Sequence, residues 1–299
     1  MRVAIVTGAG RGLGRAHALA LGRQGVRVVV NDMGGARDGT GGSATAAEQV
    51  CAEIIAAGGD AMPNDADVCD FQQVQMMVDA AVARWGAVDI LVNNAGILRD
   101  RSFAKLELAD FRKVIDVHLM GSVHCVKAAW DLMREQRYGR IVFTTSSSGL
   151  YGNFGQSNYA AAKMALVGLM NSLALEGEKY GVHINCLSPS AATRMTGDVL
   201  EEAALEVLDP EKVSPAVIAL TGENAPNGAI LCAGAGSFER AFITLTRGKV
   251  LDAIRYPEEV MRHWDIISNR QGEMLPDSGP EQAAWEVQAA NEMRHMSST

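Results

Sequence analysis

VAIVTGAGRGLG, residues 3 to 14, passes from five apolar or β-compatible residues into a glycine-rich turn and then into a helical pattern that continues to residue 24. A strand, a tight turn and a helix in that order open a βαβ unit. Residues without side chains let the backbone turn sharply and let a pyrophosphate reach the helix N-terminus, where unpaired N–H groups and the helix dipole favour an anion. Gly8, Gly12 and Gly14 carry the turn, and Arg11 and Leu13 between them are further candidate contacts. The first two glycines are separated by three residues rather than one.

Outward from this unit, short β-branched runs alternate with longer helical patterns. VRVVVN (26–31), VDILVN (88–93), RIVFTTS (140–146), VHINCLS (182–188) and AILCA (229–233) read as strands, with a third-strand region before Asp67. Helical stretches occupy residues 12–24, 43–57, 70–85, 108–136 and 157–180. Near-continuous apolar strands separated by helices imply a sheet covered on both faces. The expected fold is α/β: a doubly wound, mostly parallel seven-stranded sheet with helices on both sides. Residues 1–240 form the expected dinucleotide-binding and catalytic domain. After them the alternation breaks, and 241–299, with PDSGP (276–280) and a polar helical stretch from Glu281 to His295, reads as a C-terminal helical extension of the same domain. That extension packs on a neighbour, serves as a lid or frays.

The 299 residues are 48% hydrophobic, enough for a full core without a disulfide or a metal. A net charge of -8 and the lack of a Lys/Arg-rich run argue against nucleic acid or anionic lipid as partners. Cys51, Cys69, Cys125, Cys186 and Cys232 are odd in number and form no CxxC pair, as reduced thiols in a cytoplasmic protein would. The first strand begins at Val3, so no signal peptide is expected, and no apolar run approaches the roughly 18 residues of a membrane span.

Asp32 ends the second strand, where a carboxylate accepts hydrogen bonds from the adenosine ribose hydroxyls and repels a 2′-phosphate. This favours NAD over NADP, with Arg11 and Arg37 close enough to soften the preference. Asp67 and Val68 are placed to meet the adenine, with Asp65 as the competing carboxylate. NNAG (93–96) closes the next strand. Asn93 is expected to tie the sheet together, and Asn94, Ala95 and Gly96 to approach the nucleotide.

YAAAK places Tyr159 and Lys163 four apart, hence on one helix face, and Ser146 ends a strand thirteen residues before the tyrosine. A phenol near pKa 10 is a poor base at neutral pH; a neighbouring ammonium and a positive nicotinamide favour the phenolate. Ser146 is chosen over Ser147 and Ser148 because it comes first at the strand's carboxyl end. Together with the glycine turn, these residues describe a nicotinamide-dependent oxidoreductase.

TGAGRGLG, NNAG, the serine, YAAAK and PSAAT (189–193) resemble the short-chain dehydrogenase/reductase family over residues 1–237, which implies a Rossmann-type fold. The resemblance assigns Tyr159 as acid/base, Ser146 as the residue orienting the substrate oxygen, Lys163 as the ribose ligand and Thr193 as a contact of the nicotinamide carboxamide. It also implies a homodimer or homotetramer, with 108–136 and 157–180 as candidate interfaces. The family's relay asparagine is replaced by His118, which either passes a proton through water or is simply a packed helix histidine. NDMGG, NNAGILRDRSF (93–103), DVHLMGS (116–122) and RYGRIVFTTSSSGLYGNFGQSNYAAAK (137–163) are similar to the (3R)-hydroxyacyl-CoA dehydrogenase region of multifunctional enzymes of the peroxisomal type 2 class, which has histidine at that point. This implies a small-molecule substrate, an acyl-CoA or a steroid. A hydroxysteroid or other secondary-alcohol dehydrogenase is the alternative, and a non-catalytic dinucleotide sensor is the alternative from another class. A sensor has no use for the tyrosine.

Overall fold

The computed structural model describes residues 1–36, 38–41, 45–192, 207–251 and 255–297. They divide into two compact units, Met1–Arg240 and Ala241–Thr299.

The first unit is built on one sheet of strands β1 (Val3–Thr7), β2 (Arg27–Asn31), β3 (Ala61–Asn64), β4 (Ile90–Asn93), β5 (Gly139–Thr144), β6 (Val182–Ser190), β7 (Ile230–Gly234) and β8 (Ser237–Ala241), in the order β3-β2-β1-β4-β5-β6-β7-β8. Every neighbouring pair from β3 through β7 is parallel. All five residues of β1 are buried, and Val28, Val29 and Val30 of β2 have no exposed surface, so successive side chains are covered on both faces. That accounts for the unbroken apolar runs in the sequence. The sheet has eight strands where seven were expected. The extra one, SFERA, is mostly exposed and follows Ala235 and Gly236, whose φ values of 52° and 86° suit a two-residue turn that sends the chain back along β7.

Helices α1 (Gly12–Arg23), α2 (Thr45–Ala56), α3 (Phe71–Trp85), α4 (Leu108–Ile115), α5 (Gly121–Gln136), α6 (Ser147–Tyr151), α7 (Ser157–Gly177) and α8 (Ser214–Leu220) connect and cover the strands. Asp70 starts α3 by accepting from the backbone N–H groups of Gln72 and Gln73, and Gly86 ends it in the left-handed conformation. Between α4 and α5 the chain widens into a π turn, Asp116–Met120, where sequence periodicity suggests one continuous helix.

Arg140 of β5 is buried, with 5% of its surface exposed. Its guanidinium donates to the carbonyls of Gly222 (2.9 Å), Gly139 (2.8 Å), Gly181 (2.9 Å) and Glu223 (2.9 Å) and lies over the Tyr138 ring at 4.3 Å. A buried cation of this kind is tolerable only because its donors are so fully used.

The second unit contains two short helices, Glu259–Arg262 and Trp264–Ile267, an antiparallel bridge between Leu245 and Met274, and a helix over Gly279–Ser297. Among the described residues, no helix is long and apolar enough to cross a membrane, and all five cysteines are free.

Candidate active site

The strand order reverses between β1 and β4, and the carboxyl ends of these strands open onto a cavity of about 660 Å³. Lining it are Gly8, Arg11, Gly12, Leu13, Gly14, Asp32, Asp67, Val68, Asn94, Ala95, Gly96, His118, Ser146, Tyr159 and Lys163. These are all the candidate residues read from the sequence except Thr193, which lies outside the described residues.

The glycine turn needs its glycines. Gly8 and Gly12 have φ values of 62° and 54°, and a Cβ on Gly14 would lie 2.2 Å from the Gly8 carbonyl oxygen. Arg11 precedes α1 without a side-chain cap, and the first turn of α1 contains no acidic residue, so its N–H groups face the cavity edge without a competing anion. This cradle fits a dinucleotide pyrophosphate. Asp32 accepts from Gly10 N–H and from Gly34 N–H, each at 2.7 Å, which fixes its carboxylate at the cavity wall. Asp67 lines the cavity and accepts from Cys69 N–H at 2.9 Å, whereas Asp65 is exposed and does not line it.

Asn94, and not Asn93, ties β4 to β1. The Asn94 amide donates to the carbonyls of Thr7 (3.0 Å) and Gly8 (3.1 Å), while the backbone N–H groups of Asn94 and Ala95 share the Thr7 hydroxyl. Asn93 stands one residue earlier in the pleat, so its side chain takes the other face. There its amide nitrogen and oxygen are buried without partners.

Ser146 occupies the N-cap of α6, accepting from Ser148 N–H at 3.2 Å, and is hydrogen-bonded to Tyr159. Ser148 instead donates to Gln156. Lys163, one helical turn beyond the tyrosine, donates to the Thr144 carbonyl, and its ammonium lies 5.5 Å from the Tyr159 ring centre. The Thr145 hydroxyl, donating to the Lys163 carbonyl at 2.7 Å, fastens α7 to the end of β5.

The electrostatics differ from the sequence expectation. Burial pushes the Tyr159 phenol up to about 12, with the Ser146 hydrogen bond opposing and the Asp100 charge adding to the rise. Burial likewise lowers Lys163 to about 7, so its own positive charge is weakened. Desolvation therefore outweighs the lysine's field in setting the phenol.

His118 sits in the π turn, buried, with its ring edge-on to Tyr159 at 5.2 Å between centres. Its Nε2 lies 3.1 Å from Ile97 N and 2.8 Å from Ile97 O. One ring nitrogen cannot accept from the first and donate to the second at once, and the shorter distance favours Nε2–H donating to the carbonyl. Nδ1 is then a lone-pair acceptor, buried and without a partner. Burial, followed by the Lys163 charge, lowers His118 to about 3, so the imidazole is neutral at physiological pH. Sequence reading missed Asp100, Gln156 and Lys113, which also line the cavity. Asp100 and Gln156 lie within the stretches 93–103 and 137–163 but carry no motif of their own, and Lys113 falls outside every such stretch.

A doubly wound sheet with a glycine cradle, a carboxylate at the end of β2 and a Ser-Tyr-Lys group in the same cleft defines an oxidoreductase acting on CH–OH groups with a nicotinamide dinucleotide. The chain belongs to the short chain dehydrogenase family, whose profile matches residues 2–204. It is 47% identical over 272 residues to a short-chain type dehydrogenase/reductase of Mycobacterium tuberculosis, covering 91% of this chain and 95% of that protein. It is 43% identical over 281 residues to peroxisomal multifunctional enzyme type 2 of Mus musculus, covering 93% of this chain but only 38% of that longer protein. Its structure is similar to that of the full-length Drosophila melanogaster multifunctional enzyme type 2, with a TM-score of 0.82, 35% identity and coverage of 98% of this chain and 50% of the other. A 7α-hydroxysteroid dehydrogenase complexed with NADH and 7-oxo glycochenodeoxycholic acid is more distant, at TM-score 0.71 and 27% identity over 79% of this chain.

Proposed function

We propose that the chain is an NAD-dependent dehydrogenase that reversibly oxidises a (3R)-3-hydroxyacyl-CoA to its 3-oxo thioester. The observation that carries this reading is the convergence of Ser146, Tyr159, Lys163 and His118 with the glycine cradle in one cavity. Similarity to the multifunctional enzymes over nearly the whole chain supports the substrate class.

The Ser146 hydroxyl and the Tyr159 phenol hold the alcohol oxygen between them, and Tyr159 Oη takes its proton. Lys163 anchors the nicotinamide ribose and keeps its ammonium beside the phenol. The bound nicotinamide supplies the hydride acceptor and a positive charge that favours the phenolate. His118, neutral at working pH, offers Nδ1, the nitrogen without a protein partner, as a hydrogen-bond acceptor that orders a relay water. Gly8, Arg11, Gly12, Leu13 and Gly14 receive the pyrophosphate, Asp32 the adenosine ribose, and Asp67 and Val68 the adenine. Asn94, Ala95 and Gly96 back the nucleotide, and Thr193 completes its set. The Asp32 charge beside the ribose favours NAD over NADP.

Oxidation of a hydroxysteroid is the second reading, supported by the likeness to the steroid enzyme. The proposal includes a homodimer or homotetramer and a cytoplasmic location; the relatives with peroxisomal names leave the peroxisome as the competing compartment. The test is nicotinamide absorbance with 3R- or 3S-hydroxyacyl-CoA and NAD or NADP. Reduction of NAD with the 3R thioester alone is expected; turnover of steroids but of neither thioester overturns the acyl-CoA assignment.

A further inference from the structure

Asp100 lies on the loop after β4 and lines the cavity with Ser146 and Tyr159. Its Oδ2 accepts from Gln156 Nε2 at 2.7 Å, while Oδ1 is buried without a hydrogen-bond partner. An unsatisfied buried carboxylate oxygen is uncommon in a folded protein. Gln156 cannot supply a second donor by flipping its amide, because Oε1 already accepts from Ser148 Oγ (2.8 Å) and Asn153 Nδ2 (3.0 Å). The cations on its own loop and on α7 are otherwise engaged. Arg99 pairs with Asp110 at 2.5 Å, Arg101 donates to the backbone carbonyl of Asp100 at 3.1 Å, and Lys163 is turned to the Thr144 carbonyl.

The loop is held where it is. Arg101 N–H donates to Gly155 O at 2.9 Å, and the Asn158 amide donates to Arg99 O at 3.0 Å, so the segment carrying Asp100 is stitched to the entry of α7 just before Tyr159. The charge also reaches the phenol, since it contributes to raising Tyr159. Ser146 and Tyr159, which receive the alcohol oxygen, line the same cavity as Asp100, so a free 3-hydroxy acid brings its carboxylate into the space that Asp100 lines.

We infer that Asp100 is a charge-selecting residue of the substrate site: it admits secondary alcohols whose adjacent acyl group is neutral, such as thioesters and esters, and rejects free 3-hydroxy acids. The carboxylate, one oxygen of which has no donor to offset its charge, repels an anion and leaves an uncharged ester or thioester unopposed. This inference rests on the proposed oxidation of a 3-hydroxyacyl compound and narrows its substrate class.

The test compares kcat/KM for ethyl (R)-3-hydroxybutyrate, free (R)-3-hydroxybutyrate and (R)-3-hydroxybutyryl-CoA in the wild type, Asp100→Asn and Asp100→Glu. The wild type and Asp100→Glu should strongly prefer the ester to the acid. Removing one charge at this range should narrow that preference by about tenfold or more in Asp100→Asn, through the acid. A merely structural role lowers both rates and leaves their ratio unmoved, which overturns the inference, as does a wild type that oxidises acid and ester equally well. A charge-selective ester reaction with an inert CoA thioester upholds Asp100 and overturns the acyl-CoA reading; silence with both neutral substrates overturns both.

Discussion

At Tyr159, a half-buried residue, desolvation pushes the phenol up to about 12 against the opposing effect of Ser146, and the proposed role as acid/base predicts a loss confined to turnover. Tyr159→Phe should lower kcat by roughly 10³-fold while leaving NAD binding, followed by fluorescence titration, nearly unchanged. A second residue prediction concerns acid. His17 is fully buried in α1, with Nδ1 3.0 Å from Ser214 Oγ, and burial lowers it to about 3. The unfolded chain takes up that proton near pH 6.5, so between about 6.5 and 3 it binds more protons than the folded chain and stability falls as pH falls. The loss from His17 comes to about 2 kcal/mol between pH 6.5 and 5, and denaturant titration of His17→Gln should show a correspondingly smaller decline. The candidate catalytic side chains were legible because their placement is tied to local spacing: Tyr159 and Lys163 share a helix face, and Ser146 follows the end of β5, where it caps α6. Asp100 and Gln156 were not, because their meeting depends on two loops closing on one another.

The π turn Asp116–Met120 carries His118 against Gly96, where an added Cβ would lie 2.3 Å from the imidazole Cε1. Gly96→Ala should therefore displace the ring, destabilise the fold by about 1–3 kcal/mol and lower kcat; a thermal melt and a turnover assay check the two together. Gly14→Ala acts at the other end of the cleft. Its Cβ meets the Gly8 carbonyl and the Asn94 amide, which is itself hydrogen-bonded to the Thr7 and Gly8 carbonyls, so NAD affinity should fall while hydride chemistry, at saturating NAD, is less affected. Apolar periodicity located the long helices and the buried strands to within a few residues. It hid the π turn, whose extra residue leaves the DVHLM pattern looking helical. It also gave little sign of β3, four residues long with Pro63 at an outer edge, or of β8, whose exposed polar residues lack an alternating face.

The whole chain joins a complete sheet unit, Met1–Arg240, to a smaller unit, Ala241–Thr299, and each candidate site residue belongs to the first. A chain ended after Ala241, which keeps β8 intact, should still bind NAD with near-normal affinity; loss of binding would assign the second unit a part in the nucleotide site. Arg140 carries a further consequence, for synthesis. Its guanidinium is satisfied by carbonyls at 181, 222 and 223 as well as at its neighbour 139. A nascent chain halted between residues 181 and 222 has the acceptors at 139 and 181 for Nη1 but leaves Nε and Nη2 without theirs at 222 and 223. Burying the Arg140 guanidinium between the strands therefore becomes favourable only once the segment before β7 has been made, which sets the closing of the middle of the sheet late in synthesis.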